Sequence, residues 1–409
     1  MWKLPSYFSK TKVRKETTYA MAYQLIVAVF GLLFVVLIPN IAGIELYGQL
    51  QTVFAYAALL GVFFSGKVSL DLYQTLSSHK FSSTSRVHIF SSLRARLLFA
   101  AITAVLFCAW LVFFPVAVLL DHIVLVIVFV LVSNFFFFFI SLFEPLHRQV
   151  YPVIAIILFY VLELLLLTAL YAYNWISLSG LLISYIASYG AGIVFLLAIL
   201  CIKLPRSNKE VSSLSSSALK ALFIITLAYL FWILVEKIDI LMISSMLGSV
   251  EVGNYSIAAS LTKKALALSI PFIAGAAPLF ANHRKVRSFY LSTLWRLLTI
   301  NAIIVVLLLI LAPLIIPFLY SSSSIVPLMQ VLAFSPLIYA VGHLSSRLAF
   351  IRGDLSIILL FNGIAACTNV VLNYVGILFF GAFGAAMATL IAIALWAGLN
   401  IAYVKVKVF

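Results

Sequence analysis

Landmarks in the first half of this 409-residue chain recur in the second half at a nearly constant spacing. Three landmarks recur, at offsets of 205, 204 and 204 residues: the segment 43–48 with 248–253, Arg148 with Arg352, and Gly180 with Gly384. A shared offset of half the chain length indicates an internal duplication. We therefore expect two similar halves, an arrangement in which many secondary transporters build a central site that opens to alternate sides.

The composition places the chain in a membrane. Hydrophobic residues make up 65% of the sequence and charged residues 9%, with a mean hydropathy of +1.22. Soluble domains contain about 25% charged residues. The net charge of +15 would suit nucleic acid, but the basic residues occur in small groups between long apolar runs. Because that pattern is typical of loops at an anionic membrane face, we predict a multi-pass membrane protein that does not bind nucleic acid.

No cofactor, metal site or catalytic domain is predicted. Cys108, Cys201 and Cys367 each lie within an apolar run without C-x-x-C spacing, which argues against a disulfide framework or a thiolate metal site. The sequence contains neither a nucleotide-binding G-x-x-x-x-G-K-[ST] loop nor an H-E-x-x-H motif. We therefore do not expect an enzyme, and transport would have to use an ion gradient or the gradient of the substrate itself.

Twelve apolar segments are long enough to span a membrane, since a spanning helix needs about 20 residues. They are 17–39, 46–76, 93–119, 123–144, 151–172, 178–202, 217–247, 253–281, 289–319, 325–350, 355–378 and 382–404. Six fall in each half, so both halves enter the membrane from the same side as a parallel pseudo-two-fold pair. The predicted fold class is an all-α integral membrane protein with a six-helix lobe at 1–205, a cytoplasmic linker at 206–216 and a six-helix lobe at 217–409.

The basic residues set the orientation of this arrangement. Of the 26 lysines and arginines, 22 lie on one side of the predicted membrane, within 3–15, 80–96, 148, 203–220, 284–296, 347–352 and 405–407. The opposite loops carry only Glu45, Asp121 and Glu251 as charged residues. The positive-inside rule therefore places both termini in the cytoplasm.

The four remaining lysines lie deep inside predicted spans: Lys67, Lys237, Lys263 and Lys264. A charge at the centre of a bilayer costs at least about 2.5 to 3.5 kcal/mol, so it usually faces a partner or a wet cavity. The last three lie about ten residues from the outer ends of the seventh and eighth spans, which the tight turn at 248–253 makes neighbours. We expect them to form one positive patch that binds an anionic substrate.

Four acidic residues in similar positions are the candidates for ion coupling: Asp71, Glu163, Glu236 and Asp239. Lys67 and Asp71 are four residues apart on one helix face, so this pair either neutralises itself or contacts substrate. Glu163 has no basic residue nearby in sequence, and either carries a proton or accepts a hydrogen bond from a neighbouring helix.

Three segments resemble the polysaccharide flippases, of the O-antigen and capsule type, in the multidrug/oligosaccharidyl-lipid/polysaccharide exporter (MOP) superfamily. The segment 236–258 is similar to the seventh helix, turn and start of the eighth helix of that family, where an acidic residue precedes a Leu-Gly-x-x-x-Val-Gly-x-Tyr turn. The segment 41–48 resembles its counterpart after the first helix, and 373–389 resembles the entry to the twelfth. Helix number and order match over nearly the whole chain.

The resemblance implies a flippase that moves undecaprenyl-diphosphate-linked oligosaccharide across the bacterial inner membrane by alternating access, coupled to H⁺ or Na⁺. It also implies membrane lipids, and a polysaccharide polymerase with its chain-length machinery, as partners. The cationic central cavity of the family corresponds by position to Lys67, Lys237, Lys263 and Lys264. The sequence departs from that pattern in lacking mid-membrane arginines, which would bind a diphosphate in a bidentate manner.

Three alternatives remain at this stage. A multidrug exporter of the same superfamily would share the helix plan but would favour buried acids over buried lysines. A membrane-embedded polysaccharide polymerase or ligase would be expected to carry a large external loop with basic or acid/base residues, whereas the predicted external loops are short. A structural or assembly protein would give no reason for lysines at mid-membrane.

Overall fold

The computed structural model describes residues 10–65, 76, 81–113, 116–146, 148–204, 216–266, 269, 273, 286–320 and 322–408. All regular structure among these residues is helical. In chain order the helices are α1 (Lys10–Ala42), α2 (Ile44–Ser65), α3 (Ser83–Phe113), a short helix Ala117–Leu120, α4 (Ile123–Leu142), α5 (Val150–Ala172), α6 (Leu178–Lys203), α7 (Ser216–Met246), α8 (Ser249–Leu266), α9 (Val286–Tyr320), a short helix Ile325–Leu332, α10 (Ser335–Arg352), α11 (Leu355–Tyr403) and a π-helical turn Val404–Val408.

These helices confirm an all-α membrane fold. Within the described residues, eight helices are long and apolar enough to cross a bilayer. Helix α6 runs over Leu178–Lys203, one residue longer than the predicted span 178–202. The predicted span 325–350 corresponds to one of these candidates, Ile325–Arg352, in which a turn separates the short helix Ile325–Leu332 from α10. Of the predicted linker at 206–216, all but Ser216 lies outside the described residues.

Helix α11 consists of two arms that fold back on each other. Gly381 has φ 59° and ψ −144°, a left-handed conformation that interrupts the helix and that glycine adopts at little cost. The arms touch through Gly376 and Gly384, since an ideal Cβ on Gly384 would lie 2.0 Å from the Gly376 carbonyl oxygen. Trp396 donates its indole N–H to the Asn362 side-chain oxygen over 2.9 Å across the two arms. The arms therefore correspond to the two predicted spans at 355–378 and 382–404.

Contacts divide the chain into two compact units. The first unit comprises Met1–Phe30 and Phe63–Leu222, and the second comprises Gly31–Val62 and Phe223–Phe409. In the first unit, α4 and α5 both pack on α6. In the second unit, α10 packs extensively on α11.

The turns at the two matched segments have the same backbone conformation. Gly43, after α1, has φ +86°, and Gly248, after α7, has φ +92°. A glycine in the left-handed region commonly ends a helix, because it has no Cβ to clash with the preceding carbonyl. Each glycine is followed directly by the next helix. The recurring sequence thus produces a recurring tight turn between consecutive helices.

Candidate functional site

Three of the predicted lysines lie together in the second unit. Lys237 is on α7, and Lys263 and Lys264 are in the last turn of α8; all three are half-buried. The ammonium of Lys263 donates to the backbone carbonyl of Glu236 over 3.3 Å. Lys237 lies within electrostatic range of Lys263, Lys264, Glu236 and Asp239. We call Lys237, Lys263 and Lys264 the lysine group.

The lysine group has no paired counter-ion among the described residues. None of its ammonium groups makes an ion pair with a described carboxylate, and the polar contact of Lys263 is to a backbone carbonyl. Lys264 lies against α1, where an ideal Cβ on Gly31 would be only 2.3 Å from its ammonium nitrogen. Like charges at close range repel one another, and a nearby anion would offset this repulsion.

The fourth predicted lysine, Lys67, and its predicted partner Asp71 lie outside the described residues. Of the four acidic candidates, the structure therefore describes three: Glu163, Glu236 and Asp239. Glu236 is half-buried beside the lysine group, whereas Asp239 is buried beneath it on the same helix. Glu163 belongs to the first unit and has its own set of partners.

Asp239 is a buried carboxylate held from three helices. Only 2% of its surface is exposed. The Tyr255 hydroxyl of α8 donates to its Oδ2 atom, and the Thr389 hydroxyl of α11 lies 3.3 Å from the same oxygen. The Ile240 backbone N–H donates to Oδ1 over 2.8 Å. These contacts fix the carboxylate where water is largely excluded.

Helix α7 and the first arm of α11 run parallel in a constant register. Two asparagine amides donate to carbonyls of α7, each across a separation of 134 residues: Asn362 to Ala228 (2.9 Å) and Asn369 to Val235 (3.0 Å). The same register puts Asn373 level with Asp239, again 134 residues away. The Asn373 side-chain oxygen is buried and has no hydrogen-bond partner. A carboxylate and a free amide oxygen therefore share one level of this helix pair.

Glu163 is the buried carboxylate of the first unit. It is fully buried on α5, and its two oxygens lie 2.8 Å from the Ser184 hydroxyl and 2.9 Å from the Ser188 hydroxyl. The two serines are one turn apart on α6 and therefore share a face. The aromatic rings of Phe159 and Tyr189 stack at 4.3 Å beside this cluster. This carboxylate has hydroxyl partners and, within the described residues, no ion pair.

Sequence reasoning allowed a hydrogen bond from a neighbouring helix to Glu163, but it did not identify the partners of either carboxylate. Tyr255 lies within the turn motif at 236–258, and that motif gives no indication of a contact with Asp239. Ser184 and Ser188 have the four-residue spacing of a helix face, a signal that was available in the sequence. The contact of Thr389 with Asp239 joins residues 150 positions apart, and no local pattern indicates it.

The sequence and the fold of this chain are similar to those of known proteins. The model of the polysaccharide biosynthesis protein family matches residues 13–284, about two thirds of the chain. The chain belongs to this family. The match includes the lysine group, Asp239 and Glu163. No curated protein sequence matches the chain.

The fold of this polysaccharide biosynthesis family member is similar to solved transporter structures. The lipid II flippase MurJ, in an inward closed conformation, has a TM-score of 0.70 at 16% identity over 95% of this chain and 87% of MurJ. A MATE structure in the bent conformation has a TM-score of 0.68 at 14% identity over 98% and 95% of the two chains. An outward-facing multidrug resistance MATE family transporter of the MOP superfamily has a TM-score of 0.67 at 14% identity over 95% and 96%. The family member is thus a multi-pass membrane protein with the MOP transporter fold.

Proposed function

We propose that this protein is a flippase that moves undecaprenyl-diphosphate-linked oligosaccharide across the bacterial cytoplasmic membrane by alternating access. The observation that carries the proposal is the lysine group, three half-buried ammonium groups that make no ion pair within the described residues. Lipid does not solvate such charges, so they need an anionic ligand or a wet cavity. A diphosphate would satisfy several ammonium groups at once.

The family and the fold taken together support the proposed class of cargo. Where a polysaccharide is built on a lipid carrier at the cytoplasmic face, the lipid-linked sugar has to cross the membrane before it can be used outside. Among the proteins of similar fold, MurJ is a flippase for a lipid, lipid II. A lipid-linked oligosaccharide combines the anionic group that the lysines would bind with the sugar that gives this family its description. We therefore assign the diphosphate to Lys237, Lys263 and Lys264, and by position to Lys67.

Ion coupling is assigned to the buried carboxylates. Asp239 is suited to a cation such as Na⁺, because the unpartnered amide oxygen of Asn373 lies at its level and oxygen atoms are the ligands of hard cations. Glu163 is suited to proton exchange, because it is buried and its partners among the described residues are uncharged hydroxyl groups, so a proton can bind without displacing a counter-charge. The gradient that accelerates transport would identify which site couples the cycle.

The remaining assignments follow from charge and from the family. Both termini are placed in the cytoplasm by the 22 basic residues on one side of the predicted membrane. The inner-leaflet lipid-linked oligosaccharide is the substrate, and a polysaccharide polymerase with its chain-length machinery would use the product on the far side.

A reconstitution assay tests this function. Purified protein is placed in vesicles with undecaprenyl-diphosphate-linked oligosaccharide, and the fraction of sugar accessible to an impermeant oxidant is followed. Lys237→Met, Lys263→Met and Lys264→Met remove charge while keeping a side chain of similar length. We expect each variant to slow transport about tenfold or more, because a hydrogen bond to a charged group contributes about 1.5 to 3 kcal/mol.

Lys405→Met is the matched control, because Lys405 is an exposed lysine in the π-helical turn that follows α11. It should transport like the unmodified protein. Full transport by the triple variant of the lysine group would contradict the role of the lysines. Transport of cationic drugs without transport of the lipid-linked sugar would identify an exporter and reject the flippase assignment.

A further inference from the structure

An aromatic cluster lies next to the lysine group in the second unit. It consists of Trp232 on α7, Tyr339 and His343 on α10, and Trp396 on the second arm of α11. The Trp232 ring centroid is 4.6 Å from that of Trp396, 5.1 Å from that of His343 and 5.8 Å from that of Tyr339. Three helices thus converge on one indole ring.

The cluster has a buried side and a less covered side. Trp396 and Tyr339 are 1% and 2% exposed and form part of the hydrophobic core of this unit. Trp232 and His343 are only half-buried. Because Trp232 precedes Glu236 by four residues, the indole and the carboxylate occupy one face of α7. The ammonium group of Lys263 donates a hydrogen bond to the backbone carbonyl of Glu236.

Two polar side chains have unused hydrogen-bonding capacity: Tyr339 in this cluster and Glu236 beside it. The Tyr339 hydroxyl is buried and has no hydrogen-bond partner, although it lies within electrostatic range of Glu236 and Asp239. The Glu236 side chain makes no hydrogen bond or ion pair with the described residues. Leaving such groups without partners costs free energy, which a ligand with matching hydroxyl groups would recover. An alkyl chain would not recover it.

A sugar ring has the complementary chemistry. One face of the ring presents C–H groups, which pack on an aromatic ring, and its rim carries hydroxyl groups that both donate and accept hydrogen bonds. Ligand sites commonly combine aromatic walls with a few polar groups that fix orientation. Trp232 supplies the wall, the Glu236 carboxylate accepts hydrogen bonds, and the Tyr339 hydroxyl completes the set.

We propose that Trp232, Glu236 and Tyr339 form a sugar-binding subsite that holds the first sugar of the lipid-linked oligosaccharide. The inference rests on the flippase function proposed above and adds the recognition of the glycan. Trp232 precedes Glu236 by four residues, which is about 6 Å along the helix, and the backbone carbonyl of Glu236 accepts a hydrogen bond from Lys263 of the lysine group. This spacing suits a sugar ring attached directly to a diphosphate held by the lysine group.

Binding of two probes to the purified full-length protein tests the subsite. The probes are undecaprenyl diphosphate alone and undecaprenyl diphosphate carrying one N-acetylhexosamine. We expect the unmodified protein to bind the sugar-bearing lipid about tenfold more tightly, the gain expected of one aromatic contact. Trp232→Ala should remove this preference and leave the affinity for the sugar-free lipid unchanged. Trp232→Phe should retain most of it.

Trp295→Ala is the matched control, because Trp295 is a tryptophan on α9 of the same unit with 68% of its surface exposed. It should keep the preference for the sugar-bearing lipid. Equal binding of both probes by the unmodified protein would overturn the subsite while leaving the flippase function in place. Binding of neither probe would overturn both. A Trp232→Ala variant that keeps the preference, or that loses both affinities together, would also reject the subsite.

Discussion

Gly48 packs directly against the backbone carbonyl of Ser249. An ideal Cβ on Gly48 would lie 1.8 Å from that oxygen, and an ideal Cβ on Gly253 would lie 2.3 Å from the carbonyl oxygen of Ile44. Gly48 and Gly253, like Ile44 and Ser249, are 205 residues apart in sequence. The two repeated turns therefore make the same backbone contact twice, each glycine allowing the start of the other helix to approach.

Gly48→Ala should prevent the starts of α2 and α8 from packing this closely. Neither contact atom belongs to a flexible side chain, so α2 and α8 would have to separate to admit a methyl group. One turn further along, the Thr52 hydroxyl donates to the Ser244 hydroxyl over 3.2 Å, and Thr52 is buried. We expect transport to fall at least about tenfold. A Thr52→Cys probe should react faster with an impermeant maleimide when Gly48→Ala is present.

The control for Gly48→Ala is Gly398→Ala. An ideal Cβ on Gly398 meets nothing within 4 Å, and alanine favours a helix more than glycine does, by up to about 1 kcal/mol. This variant should transport normally and leave the reactivity of the Thr52→Cys probe unchanged. The contrary result is that the Thr52→Cys probe reacts with the maleimide at the same rate with and without Gly48→Ala. That result would show that the contact of Gly48 with Ser249 does not keep the reagent away from residue 52.

Replacing both serine partners of Glu163 should destabilise the first unit. The double variant Ser184→Ala, Ser188→Ala leaves a buried carboxylate without hydrogen-bond donors, at a cost of about 1 to 3 kcal/mol for each lost bond. Adding Glu163→Leu should recover most of the loss, because removing all the polar partners together leaves no unsatisfied group. Thermal unfolding of the purified protein measures both effects.

The control for these variants of Glu163 and its serine partners is Glu144→Gln. It replaces an exposed carboxylate of the same unit and should not change thermal stability. Failure of Glu163→Leu to restore stability would mean that the serines stabilise the unit by other contacts. The Glu163→Leu variants should also show no acceleration of transport by a proton gradient.

Several helices could be predicted closely because their lengths follow from local chemistry, although α3 (Ser83–Phe113) begins ten residues before the predicted span 93–119. Apolar runs of spanning length fix the limits of helices such as α6, and a glycine before the next run marks a turn. Gly43 and Gly248 illustrate this, since their shared offset predicted a shared role and their φ angles agree. These features depend on a few neighbouring residues, which a single sequence contains.

The partners of the buried charges could not be predicted in the same way. Whether Asp239 meets Tyr255 and Thr389 depends on how three helices rotate about their axes. That rotation is set by close packing of distant residues. The aromatic cluster around Trp232 was missed for the same reason, because its members come from separate spans. The grouping of Gly31–Val62 with the second unit is also a tertiary property.

Asp239→Asn should abolish the response of transport to a sodium gradient. The substitution keeps the side-chain volume and an oxygen that accepts from Tyr255, but it removes the negative charge that would bind a cation beside Asn373. Transport without a gradient should remain within about threefold, since the lysine group is untouched. Glu251→Gln, in the first turn of α8, is the control. A variant that still responds to sodium would exclude Asp239 as the coupling site.

Gly342→Ala should destabilise the packing of α10 on α11. An ideal Cβ on Gly342 would lie 2.1 Å from the Trp396 ring, which is buried and is held by its hydrogen bond to Asn362. Because the buried ring also packs against Trp232 and His343, we expect a loss of about 1 to 3 kcal/mol, measured as a lower midpoint of thermal unfolding. Gly363→Ala is the matched control, since its Cβ would meet Phe231 at an ordinary 3.5 Å. Equal midpoints for the two variants would mean that Trp396 can shift, and hence that the aromatic cluster is not rigid.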